Sequence, residues 1–150
     1  MQLVQLKKYK KRTVSFFILL LSGCSFSEWE VDKQSGSESS VIGEYYEATA
    51  EMGIYGIALN NEKYVDYYEI IENPGIAGRG VVTKDEVPIG AKIRVLRVEK
   101  CTNCWGFDVK RYVVSVGKKS SFDGKDVVVD KSRMDIPNSP LWNLVSEQRM

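Results

Sequence analysis

The chain contains no histidine. That removes Ser-His-Asp and Cys-His catalysis, imidazole metal ligation and histidine pH switching together. It also lacks an apolar run of bilayer length: the core of the N-terminal apolar segment, Val14 to Leu21, covers 8 residues, against the ~20 that a spanning helix needs. No stretch carries the periodicity of a long amphipathic helix, and no internal repeat is visible. Gly75, Gly78 and Gly80 are not followed by Lys-Ser/Thr or by a helix start, which argues against a phosphate-cradling loop. Residues 72–80 then read as a connecting loop, with Arg79 as a candidate contact for an anionic ligand. What is present, 43% hydrophobic and 27% charged residues over 150 positions, suits one ordinary globular domain rather than a disordered chain.

The first two dozen residues have the layout of a removable export signal. Lys7-Lys8-Tyr9-Lys10-Lys11-Arg12 is followed by an uncharged segment from Thr13 to Ser22 that ends in small residues. The alternative is a buried N-terminal helix. Leu21-Ser22-Gly23-Cys24 resembles the lipobox of bacterial lipoproteins. The resemblance implies removal of residues 1–23, a diacylglyceryl thioether on Cys24 and acylation of its new amine with a palmitate-type chain. A thiol is required because sulfur is the nucleophile that takes the lipid. Each buried methylene contributes about 0.8 kcal/mol, so two or more chains anchor stably. Ser25 stands where an aspartate would retain such a protein at the inner membrane. Delivery to the outer membrane of the cell envelope is therefore expected in a host that has one, on its periplasmic or its outer surface.

Removing residues 1–23 takes away five basic residues and no acidic one, so the formal charge moves from +1 to −4. An acidic mature chain is a poor candidate for nucleic acid. Residues 24–72 hold 11 acidic and two basic residues, and residues 73–150 hold nine acidic and 14 basic. Either the halves compensate across one sheet, or the second half presents a basic face to an acidic partner or glycan. Residues 24–43, serine-rich and poor in apolar side chains, read as the lipidated cysteine and a flexible tether. A flexible chain of roughly 18 residues has a reach of about 23 Å. Trp29 either rests at the lipid interface or is incidental.

Residues 44–150 read as a single all-β domain. Strands are expected near 44–50, 52–59, 64–71, 80–83, 91–100, 107–116 and 125–130, with Asn60-Asn61 in a hairpin turn. Ser139-Pro140 suggests an N-cap and first helical position, predicting a short C-terminal helix over 141–148. Ile93 and Val95 share one strand face while Leu96 and Val98 occupy the other. Such a slip means either two buried faces or a bulge, and small barrels need bulges. Val87-Pro88-Ile89-Gly90 leading into Ala91–Leu96, with Trp105 and Phe107 beyond, resembles bacterial SH3-like domains. The resemblance implies a small SH3-like barrel, with an OB-like barrel or a sandwich as alternatives.

Cys101-Thr102-Asn103-Cys104 admits four readings: a disulfide clamping a hairpin, a redox pair, half of a metal knuckle, or two free thiols. Export favours the disulfide. A redox centre wants a helix N-terminus to depress a thiol pKa, and a zinc site wants four ligands. Tyr45, Tyr46, Tyr55, Tyr64, Tyr67 and Tyr68 fall within 24 residues. Alternate rings are expected in the core and their neighbours outside, where Tyr45, Tyr64, Tyr67, Tyr68 and Trp105, with Arg79, are candidates for a ligand surface. Glu44, Glu47, Asp66 and Glu69 are interleaved with them and read as solubilising acids, a glycosidase pair being the remote alternative. No catalytic residue, cofactor or metal is expected. The sequence points to a non-catalytic, membrane-anchored envelope lipoprotein that binds an envelope protein or peptidoglycan. The alternatives are an immunity or inhibitor protein of a cell-wall hydrolase, and a thiol oxidoreductase using the cysteine pair.

Overall fold

A computed structural model of the chain describes residues 27–33, 39–59, 63–104, 108–134 and 139–145. Cys24, the Asn60-Asn61 pair, Trp105 and Phe107 lie outside the described residues. The fold is all-β, as the patterning predicts. Its elements are β1 (Trp29–Val31), β2 (Tyr45–Ala48), β3 (Met52–Ile57), β4 (Tyr67–Glu72), β5 (Val81–Val87), β6 (Lys92–Cys101), β7 (Lys110–Val116), β8 (Val127–Asp130) and β9 (Trp142–Val145). A 3-10 turn spans Ser39–Val41, and α1 is a single turn at Lys131–Met134.

The strands form one sheet in the order β5-β3-β4-β8-β7-β6-β2-β9, with β1 added alongside β6. Every pairing is antiparallel except β4 with β8. Chain connectivity forces this sheet to roll up. β2 and β3 are five places apart in the order, about 24 Å in a flat sheet. Only three residues join them, which allows about 14 Å. The β5–β6 turn sets the same constraint, and it touches the end of β2 directly: the Ala48 amide donates to the Ala91 carbonyl at 2.9 Å, and the Gly90 amide to the Ala48 carbonyl at 2.8 Å.

Rolling brings one face of β3, β4, β6, β7 and β8 into a common core, while β5 is exposed from Val82 to Glu86. Tyr46, Ile54, Ile70, Ile93, Val95, Val98, Val114, Val127, Val129 and Trp142 meet there. The phase slip in β6 is a bulge: the register with β7 shifts between Val95 and Arg97, so Ile93, Val95 and Val98 all point inward. The tyrosines divide as alternation requires, with Tyr46 and Tyr68 in the core and Tyr45 and Tyr67 half-buried on the outer face.

Three expectations are corrected. Residues 142–145 are strand rather than helix, and residues 146–148 lie outside the described residues. Ser139 Oγ does accept from the Leu141 amide at 3.3 Å, a capping contact, but pairing with the open edge of β2 and burial of Trp142 override that local signal. Residues 27–33 and 39–43 do not belong to a loose tether: Trp29–Val31 pairs with Glu99–Cys101 of β6. The strand expected at 80–83 runs to Val87. Its charged end, Lys84-Asp85-Glu86, is what a sheet edge carries to discourage further pairing, so the pattern that hid it reflects its position.

The loop glycines have a structural account. The Tyr55 ring lies over Gly53 and Gly75, and a Cβ built on Gly75 would fall 1.9 Å from its hydroxyl oxygen. Gly75 also has φ +75°, where a side chain is strained. Gly75→Ala is expected to cost about 2 kcal/mol, read as a lower urea midpoint at unchanged slope.

Candidate functional site

At one end of the rolled sheet the segment between β7 and β8 folds across the opening. Phe122 is its plug, buried and packed on the Tyr68 ring at 5.7 Å between centroids. The next residue, Asp123, has φ 49° and a carboxylate held from two sides. It accepts from the Tyr68 hydroxyl and from Lys84 Nζ, both at 2.8 Å. A second ion pair, Lys119 to Asp85 at 3.4 Å, ties the same segment to β5. An open depression of about 400 Å³ sits beside this lid, lined by Lys63, Tyr64, Val65, Tyr68, Asp123 and Lys125.

Tyr64 is 62% exposed, with Lys63 Nζ 5.4 Å from its ring centre. Lys63 and Lys125 line the depression together with Asp123, whose carboxylate is occupied by its two donors.

The Lys84 and Tyr68 hydrogen bonds hold the Asp123 carboxyl below its ordinary value of 3.8. The bond to Asp123 holds the Lys84 ammonium above its ordinary 10.5, and burial, then the Asp123 contact, raises Tyr68. A depressed carboxyl stabilises the fold above its unfolded pKa, and that contribution is lost as pH falls through the folded one. The lid contact is therefore expected to hold at neutral pH and loosen below the usual aspartate range. A carbon-detected NMR titration should give Asp123 a midpoint below 3.8, and Lys84→Ala should return it towards 3.8.

Of the residues singled out from the sequence, only Tyr64 and Tyr68 come together here. Tyr45 lies elsewhere, beside the Arg94 guanidinium at 5.4 Å, and Arg79 is exposed on the 72–80 loop. Tyr67 belongs to a polar array on the outer face of β4, β8, β7 and β6. There Glu99, buried at 7% exposure, accepts from Arg97 Nε and Arg111 Nε, each at 2.9 Å. Arg97 also pairs with Asp126, the residue before β8. Arg111 is stacked between the Trp29 ring at 4.1 Å and the Tyr67 ring at 5.0 Å. Trp29 is thus part of the folded domain, paired with β6 and packed on Arg111. Asp66 is bound to the Leu59 amide at 2.7 Å. Burial pushes the Glu69 carboxyl up despite Arg133 nearby, so it is not the solvated acid expected. Sequence reasoning missed Lys63, Lys125 and Asp123, which no motif marks.

Cys101 and Cys104 lie at the opposite end of β6, their sulfurs at bonding distance and their Cα atoms 5.6 Å apart. The loop they close grips the N-terminal segment. Asn103 Oδ1 accepts from the Glu28 amide at 2.8 Å, and the Thr102 amide donates to the Glu28 carbonyl at 2.9 Å. Among the described residues no group of three or more Cys, Asp or Glu is arranged to hold a metal ion. No family model, curated protein or solved structure matches the chain.

Proposed function

We propose that the chain is a non-catalytic envelope lipoprotein, anchored through Cys24, whose β-domain binds an anionic envelope component at the Tyr64 depression. The observation that carries the binding reading is the exposed Tyr64 ring in a hollow of about 400 Å³ that Lys63 and Lys125 also line. The ligand class is a carboxylate-bearing glycopeptide such as a peptidoglycan fragment, or an acidic segment of an envelope protein. The anchor rests on the lipobox-like Leu21-Ser22-Gly23-Cys24. The cysteine pair reads as a clasp: it sits in a β-hairpin and holds Glu28 through its own loop.

In-cell cross-linking of the tagged full-length protein, followed by mass spectrometry, tests this reading. Capture of muropeptides or of one dominant envelope protein is expected. The double substitution Lys63→Glu and Lys125→Glu should lower that capture at least tenfold, because repulsion replaces attraction at both lining positions. Its thermal midpoint should stay within about 2 °C of the parent, as surface changes do. Undiminished capture would move the site elsewhere. A stoichiometric complex that silences a cell-wall hydrolase would assign the inhibitor role instead.

A further inference from the structure

The two ends of β6 give the domain a polarity. One end carries the 101–104 hairpin tip and the gripped N-terminal segment. The other carries the 117–125 lid, since the Gly117 amide donates to the Lys92 carbonyl at 3.1 Å and Ile93 pairs with Val116. Ten residues of strand separate them, about 30 Å at a rise of about 3.3 Å per residue.

The N-terminal segment is fixed to the first of these ends by contacts of several kinds. Besides the Glu28 hydrogen bonds, the Asp32 amide donates to the Val98 carbonyl at 3.0 Å. The Asp32 carboxylate meets Lys110 Nζ at 3.0 Å, with side chains only 4% and 10% exposed. Glu30 meets Lys100 at 3.2 Å, and Trp29 covers Arg111. Glu28 is the outermost gripped residue and stands four positions after Cys24. Covalent geometry alone limits that interval to about 14 Å.

We propose that the hairpin tip around Thr102, Asn103 and Glu28 is the bilayer-facing surface of the lipidated protein, so that the Tyr64 depression is presented away from the membrane. This inference rests on the Cys24 anchor of the preceding section. The leash is too short to let the domain turn over: placing the lid end at the lipid surface would require the gripped Glu28 to stand about 30 Å away. The tip carries Glu28 and Asp108, the latter with a side chain 77% exposed. Acidic groups do not enter the acyl region, so the tip rests over the headgroups and its position comes from the leash.

The test uses the full-length protein processed in cells and reconstituted in phosphatidylcholine vesicles, some lipids carrying a nitroxide at the headgroup. A fluorescent amino acid is incorporated at Asp108 or at Lys118, one at each end of the domain, and intact mass confirms the lipid. Several-fold stronger quenching at 108 than at 118 is expected. Inserting twelve Gly/Ser residues between Cys24 and Ser27 should abolish that difference while leaving lipidation intact. Equal quenching at both positions in the parent, with the lipid mass present, overturns the orientation and leaves the anchor standing. Absence of the lipid mass overturns both.

Discussion

Glu99→Ala is expected to lower the unfolding free energy by about 3 kcal/mol, the scale found when one partner of a buried ion pair is removed. The carboxylate is the single hub on which two guanidinium groups converge: Arg97 at 2.9 Å, and Arg111 through Nε at 2.9 Å and Nη2 at 2.8 Å. The side chain of Arg111 is 12% exposed, so its charge has little water to fall back on. Loss of Glu99 also frees Arg111 from the position in which it stacks on Trp29, and β1 should loosen with it. Glu99→Gln keeps an acceptor of the same shape and should cost less. Replacing Arg97, Glu99 and Arg111 together by apolar residues of similar volume should be far milder than Glu99→Ala alone, because no buried charge is stranded. Asp126, which loses Arg97, has a side chain 44% exposed. Urea unfolding of these variants, with amide exchange at Glu30 and Val31 as the local readout, checks the set. A loss below about 0.5 kcal/mol for Glu99→Ala would mark the array as an ordinary surface network.

Cys24→Ala should leave the precursor unlipidated and uncut, 23 residues longer than the mature chain. The lipid-accepting thiol is absent, and alanine has no nucleophile to offer in its place. The apolar core of the signal is too short to span, so the variant should leave the membrane fraction on carbonate extraction, whereas the parent remains. Cell fractionation with intact-mass analysis reads both effects. Normal cleavage and membrane retention in the variant would remove the anchor reading. The β-domain itself should melt at the parent temperature, since Cys24 precedes all of its described contacts.

The elements that could be read from sequence are those that take their pattern from the core. β3, β4, β6, β7 and β8 bury alternate side chains in one interior, so period-two patterning locates them, and the broken phase in β6 marks its bulge. The elements that escaped are those defined by a neighbour. β1 is polar because it lies on the outside of β6 and is held by Glu30, Asp32 and Trp29 through ion pairs and stacking. Composition alone makes such a segment look like a linker. β9 follows a Ser-Pro pair that resembles a helix start, and only the open edge of β2, more than 90 residues away in the chain, makes it a strand. The depression illustrates the same limit. Tyr64 and Tyr68 stood out by their type, but Asp123 and Lys125 join them through the parallel pairing of β4 with β8, which brings Tyr68 opposite Val127. That register is a property of the assembled sheet.

The β2–β9 pairing sets a schedule for folding. Local pairings can form as the chain emerges: β3 with β4 and β5, then β6 with β7 and β7 with β8. Contacts of such short range close quickly. Tyr46 and Ala48, however, find their β9 partners Leu144 and Trp142 only after residue 145 is free. Until then the place of Trp142 in the interior is empty and one edge of β2 is open. Chains synthesised or delivered N-terminus first therefore pass through a nearly complete sheet with a wet seam. Truncation before Trp142 should trap that state, competent in secondary structure but prone to pair its bare edge with another copy.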